Sequence, residues 1–127
     1  MNLVDSSGWL EYFADGKNAK FFAQAIENTK QLIVSTINLC EVYKKILLEK
    51  DEDAALQAIG LMQQAKVVEI TSSIAVMAAK LSCELKLPMA DSLIYSTARM
   101  HDAIVWTQDV DFKNLEEVKY FKKDYLN

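Results

Sequence analysis

Four carboxylates stand next to predicted strand ends and helix starts, where they could carry chemistry. Asp5 directly follows Leu3-Val4, and Glu41 lies early in the helical stretch after Leu32-Ile33-Val34. Asp91 lies just inside the helix opened by Pro88, and Asp109 follows Ile104-Val105-Trp106 and Thr107. Carboxylates gathered in one place cannot all stay ionised unless a cation sits among them. Cys40 and Cys83 form no CxxC pair and have no histidine at zinc spacing, so the donor set reads as all oxygen. That favours Mg²⁺ or Mn²⁺ over zinc. Such a centre can activate water and neutralise charge developing on a phosphoryl group.

The elements that must position these acids can be read from the same string. Leu3-Val4, Leu32-Ile33-Val34, Val67-Val68-Glu69-Ile70 and Ile104-Val105-Trp106 are short apolar runs, the mark of strands covered by helices on both faces. Val118 to Phe121 reads as a further edge strand. Between them lie helical patterns: a turn capped by Ser6-Ser7, then Lys20 to Glu27, a helix ending near Lys50, Ala54 to Ala65, a helix capped at Thr71-Ser72-Ser73 and running to about Leu85, and Met89 to Met100. This order predicts an α/β protein, a three-layer α/β/α sandwich around a short, mostly parallel sheet. With 127 residues the chain makes one domain, taken as 1–127.

In open parallel sheets ligands bind beyond the carboxyl ends of the strands. Asp5 and Asp109 follow strands directly, and Glu41 sits in a helix that starts from that edge. The Asp91 helix leads through a short connection into the fourth strand. At about 1.5 Å per residue it spans about 18 Å, roughly a strand's length, which returns Asp91 to the same edge. Each acid also has a purely structural reading. Asp5 can cap the next helix. Glu41 stands at capping-box spacing from Asn38. Asp91 can complement a helix dipole, and Asp109 and Asp111 can make Asx-turns.

Composition narrows the function classes. Fourteen basic residues against eighteen acidic give a net charge of −4, so no broad basic surface is available for phosphate contact. A bound cation would offset that repulsion. No apolar run approaches the roughly 18 residues of a membrane span, and Met1-Asn2-Leu3-Val4-Asp5 lacks the basic and apolar parts of a secretory signal. A cytosolic protein is expected, with both cysteines reduced and buried in helices. The single histidine, His101, falls at the edge opposite the acids, and Arg99 falls on the last turn of the Asp91 helix. Lys44 and Lys45, one helical turn past Glu41, are the candidate contacts to a phosphate backbone, with a solvated face as the plain alternative. In the tail, Lys119, Lys122 and Lys123 alternate with Glu116, Glu117 and Asp124 and make no basic patch.

With those residues in view, the chain resembles the PIN-domain ribonucleases, most closely the small VapC-type toxins of prokaryotic toxin–antitoxin pairs. The resemblance rests on Leu3-Val4-Asp5-Ser6-Ser7, Asn38-Leu39-Cys40-Glu41-Val42, Pro88-Met89-Ala90-Asp91-Ser92-Leu93-Ile94 and Thr107-Gln108-Asp109-Val110-Asp111-Phe112, in that order. It implies metal-dependent endonucleolytic hydrolysis of RNA. It implies that Asp5, Asp91 and Asp109 hold Mg²⁺ or Mn²⁺ and that Glu41 completes the catalytic set and orients the attacking water. Ser6 and Thr107 match hydroxyls lining the pocket, and Asp111 matches an auxiliary acid. It also implies a homodimer and an antitoxin whose C-terminal segment covers the site. Trp9, Phe13, Phe21 and Phe22 could serve such surfaces, although amphipathic core stripes explain them as well. A receiver-type signalling domain fits poorly, because Asp5 has no adjacent second acid and no lysine closes the fourth strand. A DxD phosphatase fails at Ser7, and no phosphate-binding GxxxxGK[ST] loop occurs. A non-toxin nuclease of the same family and an RNA- or partner-binding module remain as alternatives.

Overall fold

A computed structural model describes residues 1–123; Asp124, counted above in the charge alternation of the tail, lies outside them. Five strands form one sheet: β1 (Asn2–Val4), β2 (Leu32–Ser35), β3 (Lys66–Val68), β4 (Ile104–Thr107) and β5 (Val118–Tyr120). Their order is β3-β2-β1-β4-β5, and every pairing is parallel. Among the described residues six α-helices connect them: α1 (Ser6–Phe13), α2 (Ala19–Ile26), α3 (Thr36–Glu49), α4 (Glu52–Met62), α5 (Ser72–Leu85) and α6 (Met89–Met100). The three-layer expectation holds, and the sheet is parallel throughout.

Alternation along the strands divides the core. Val4, Val34 and Trp106 join Trp9, Phe22, Val42 and Met62 on one face, under α1 to α4. Leu3, Ile33 and Val105 join Ile74, Ile94 and Phe112 on the other, under α5 and α6. Successive side chains of a strand point to opposite faces, so each short apolar run feeds both cores. Trp9 and Phe22 are therefore core residues, while Phe13 and Phe21 are half-buried.

Several local expectations are corrected. The cap of α1 is Asp5, not Ser6-Ser7: the Gly8 N–H donates to Asp5 Oδ1 at 3.1 Å. Helix α4 starts at Glu52, before Ala54, because Asp51 accepts the Ala54 N–H at 2.8 Å, and it ends at Met62 instead of Ala65. Strand β3 ends at Val68. Cys40 and Cys83 are exposed, not buried, since each falls on the solvent side of its helix. No helix of the described residues is long and apolar enough to cross a membrane.

Gly8 brings α1 close to the sheet. A Cβ there would stand 2.6 Å from both Val4 Cγ1 and Phe22 Cε1. Gly8→Ala is expected to destabilise the protein by about 1–3 kcal/mol through overpacking, read as a fall of several degrees in the thermal midpoint.

Candidate metal centre

Strand order decides where the site lies. The chain runs outward from β1 through β2 to β3, then crosses back to β4 on the other side of β1. The crevice between diverging connections therefore opens at the carboxyl ends of β1 and β4. Val4 pairs with Trp106 there, and the Asp5 N–H donates to the Trp106 carbonyl at 3.1 Å. Asp5 and Thr107 thus emerge side by side, 102 residues apart in sequence.

Asp5 is buried, with 3% of its surface exposed. Its Oδ1 accepts from the Gly8 N–H at 3.1 Å and the Ser7 hydroxyl at 2.8 Å, and its Oδ2 accepts from Thr107 Oγ1 at 3.0 Å. Thr107 Oγ1 in turn accepts the Asp109 N–H at 2.9 Å. One hydroxyl therefore orients one acid and the backbone of another. Thr107→Val keeps the shape and strands a part-buried amide, at a cost of about 1–3 kcal/mol in stability. Thermal or urea melts of the variant check this.

Asp109 caps the turn Val110–Phe112, its Oδ1 accepting the Asp111 N–H at 2.9 Å. The Asx-turn reading is thus realised, and it turns Asp111 back toward Asp109. Asp91 sits in the first turn of α6 and arrives from the other core layer. Asp91, Asp109 and Asp111 each offer a carboxylate oxygen, and these oxygens all lie within 4.8 Å of one another.

The charge is concentrated. Burial pushes the Asp5 carboxyl up to about 7; its hydrogen bonds from Ser7, Gly8 and Thr107 pull down, and the Asp109 charge adds to the rise. Asp91 also rises to about 7, first through burial, then through Asp109, a hydrogen bond with Asp111, and the charges of Asp111 and Asp5. A free chain near neutrality therefore holds protons among these acids. A divalent cation would replace them. The donors are hard oxygens, and Mg²⁺ at about 2.1 Å spreads its ligand oxygens over about 4.2 Å at most, so a trio of carboxylates grouped this closely is of the right kind and scale for such an ion.

Glu41 enters through a different contact. The Ser6 hydroxyl donates to Glu41 Oε1 at 2.7 Å, and Asn38 Nδ2 donates to Ser6 Oγ at 3.0 Å. Ser6 thus links α1 to α3. Asn38 is spent on this link and on the Ser35 N–H (3.1 Å), so it makes its capping box with Ser35 and not with Glu41. Glu41 and Asp5 stand outside the close trio, while Asp111, the auxiliary acid by resemblance, stands inside it. Asn38, fully buried, went unread as a site residue; its Ser-x-x-Asn spacing signals a cap and nothing more.

Lys44 and Lys45 are exposed, and Lys45 pairs with Glu49 at 3.0 Å. His101 ends α6 at the edge away from the acids, as expected. A separate concavity lies away from the acid cluster. It is a groove of about 640 Å³ between α1 and the α3–α4 pair, lined by Leu10, Phe13, Ile46, Ala58 and Leu61 and reaching Ser7 and Gln108 near the rim.

The model of one protein family, the PIN domain, matches residues 3–118. A chain of a toxin–antitoxin complex from Klebsiella pneumoniae is 25% identical, with a TM-score of 0.80 over 97% of this chain and 100% of that one. The toxin VapC20 of Mycobacterium tuberculosis, described as cleaving the sarcin–ricin loop, is 16% identical, with a TM-score of 0.78 over 93% and 97%. A chain of VapBC2 from Rickettsia felis, solved with a promoter DNA fragment, is 14% identical, with a TM-score of 0.74 over 97% and 98%. No curated protein matches the sequence significantly.

Proposed function

The chain belongs to the PIN domain family, and we propose that it is a Mg²⁺- or Mn²⁺-dependent endoribonuclease, the toxin of a type II toxin–antitoxin pair. The observation that carries this reading is the trio Asp91, Asp109 and Asp111, with carboxylate oxygens within 4.8 Å, beside buried Asp5. A cation held there supplies charge neutralisation at the phosphoryl group and a more acidic water. Asp91 and Asp109 hold it together with Asp5, directly or through water, and Asp111 lies within the close trio beside them. Thr107 keeps Asp5 and the Asp109 backbone in register. Ser6 fixes Glu41 through Oε1, and Oε2 makes no hydrogen bond among the described residues, which suits it to orient a water. Lys44 and Lys45, on α3 beyond Glu41, are the proposed RNA contacts.

The toxin role draws on the resemblance to chains solved as toxin–antitoxin complexes. The groove beside α1 is apolar along its floor and continuous with Ser7 and Gln108, which suits a partner segment extending over the rim. We place the protein in the cytoplasm as a homodimer when free of its antitoxin.

The test is RNA cleavage by protein purified free of any partner, in Mg²⁺ or Mn²⁺ against EDTA. Cleavage that needs the metal is the expected result. A chain that binds Mn²⁺ and RNA yet cuts nothing would make it a binding module. Expression should also arrest growth, and a co-expressed antitoxin should relieve the arrest; cleavage without arrest would leave a nuclease that is not a toxin.

A further inference from the structure

Asn18 breaks a local rule. It is the residue before α2, where an asparagine ordinarily accepts a backbone N–H of the helix it precedes, yet it makes no such bond. It is nevertheless buried, with 5% exposed. Its Nδ2 donates to Gln108 Oε1 at 2.9 Å and to the Lys122 carbonyl at 3.1 Å. Its own N–H donates to Glu11 Oε2 at 2.9 Å. Gln108 is likewise 5% exposed and lies between Thr107, which holds Asp5, and Asp109.

A side chain drawn away from its own helix cap toward a partner 90 residues distant marks a constraint the fold imposes for another purpose. The constrained object is the segment 107–111. One side of it is tied by Thr107 Oγ1 and by the Phe121 N–H, which donates to the Thr107 carbonyl at 2.9 Å. Asn18 ties the next residue. With both ties, the backbone entering the Asp109 turn has little freedom, and Asp109 and Asp111 meet Asp91 from a set distance. We propose that Asn18 and Gln108 are a positioning pair for the acid cluster, holding Asp109 and Asp111 in reach of Asp91 without touching metal or substrate themselves. The proposal rests on the metal-nuclease reading for its consequence but not for its geometry.

Gln108→Met keeps the volume and removes the hydrogen bond. The variant should bind Mn²⁺ about tenfold more weakly by calorimetry and lower kcat with little change in KM. In the metal-free chain, amide exchange at Asp109 to Phe112 should accelerate at least tenfold, with the sheet amides unchanged. Met62→Ala, a buried truncation on α4, serves as the control for general destabilisation. Asn18→Ala should reproduce the Gln108→Met effects, and the double variant should add little to either, since both break one link. Wild-type exchange at Asp109 to Phe112 in Gln108→Met, or equal acceleration in Met62→Ala, overturns the proposal. So does Mn²⁺ affinity within twofold of wild type. If the wild-type chain binds no Mn²⁺, the nuclease reading fails, and the exchange experiment still decides whether the pair holds the segment.

Discussion

Asp91→Asn is expected to reduce metal-dependent RNA cleavage by roughly 10²- to 10³-fold, because one charged donor to the cation is lost while the shape is kept. Asp109→Asn should do the same. Both acids belong to the trio within 4.8 Å, and an amide oxygen is a weaker, neutral ligand. The variant should also bind Mn²⁺ more weakly, with a smaller effect on RNA binding. Its stability separates this from misfolding. Asp91 is raised to about 7 by burial and by its acidic neighbours, so removing its charge relieves the metal-free fold. Asp91→Asn should therefore melt at or above the wild-type temperature in EDTA, while its cleavage in Mg²⁺ or Mn²⁺ stays reduced by that factor. A variant that cleaves as well as wild type would mean that a contaminant or another site is responsible.

The second expected result concerns pH. Asp5 and Asp91 are raised to about 7 from 3.8 in the folded chain, so between those values the native state holds more protons than the unfolded one. Stability of the metal-free protein must then fall as pH rises through this window, the reverse of the usual carboxylate behaviour. For buried Asp5 alone the full shift corresponds to an upper bound on the order of 4 kcal/mol. Lowering the pH from about 8 to 5.5 in EDTA should raise the thermal midpoint by about 5 °C or more. Saturating Mg²⁺ or Mn²⁺ should raise the midpoint at pH 8 and flatten the slope, since the cation does the work of the protons. Asp5→Asn should remove much of the slope in EDTA. A midpoint in EDTA that climbs steadily with pH would show that these acids stand ionised at no cost, and the cluster would then lose its reason to bind a cation.

The local devices of the chain were legible because they act over a few residues. Short continuous apolar runs marked β1, β2 and β4, and the hydroxyls of Thr71-Ser72-Ser73 marked the start of α5. Even so, Ser6-Ser7 and Asp5 could not be told apart as the cap of α1, because both chemistries suit the position. The sidedness of Cys40 and Cys83 was misread, because a weakly amphipathic helix leaves its buried face open. Parallel order follows from apolar strands alternating with helices, and the return of Asp91 to the carboxyl rim from the length of its helix and its short connection into the fourth strand, so the four acids are expected on one edge.

What the amino-acid string determined by itself was therefore the inventory: which acids reach the rim, on which elements, and which hard-oxygen chemistry they can support. Tertiary structure decided how that inventory is grouped. Asp111 joins Asp91 and Asp109 because Asp109 caps the turn that carries it. Glu41 instead answers to Ser6 and Asn38 across the α1–α3 contact, and Gln108 is held by Asn18 from across the fold. These pairings depend on register and rotamer at the scale of a single hydrogen bond between residues dozens of positions apart. Periodicity and spacing fix a residue's element and face, but only the packed core sets distances that fine.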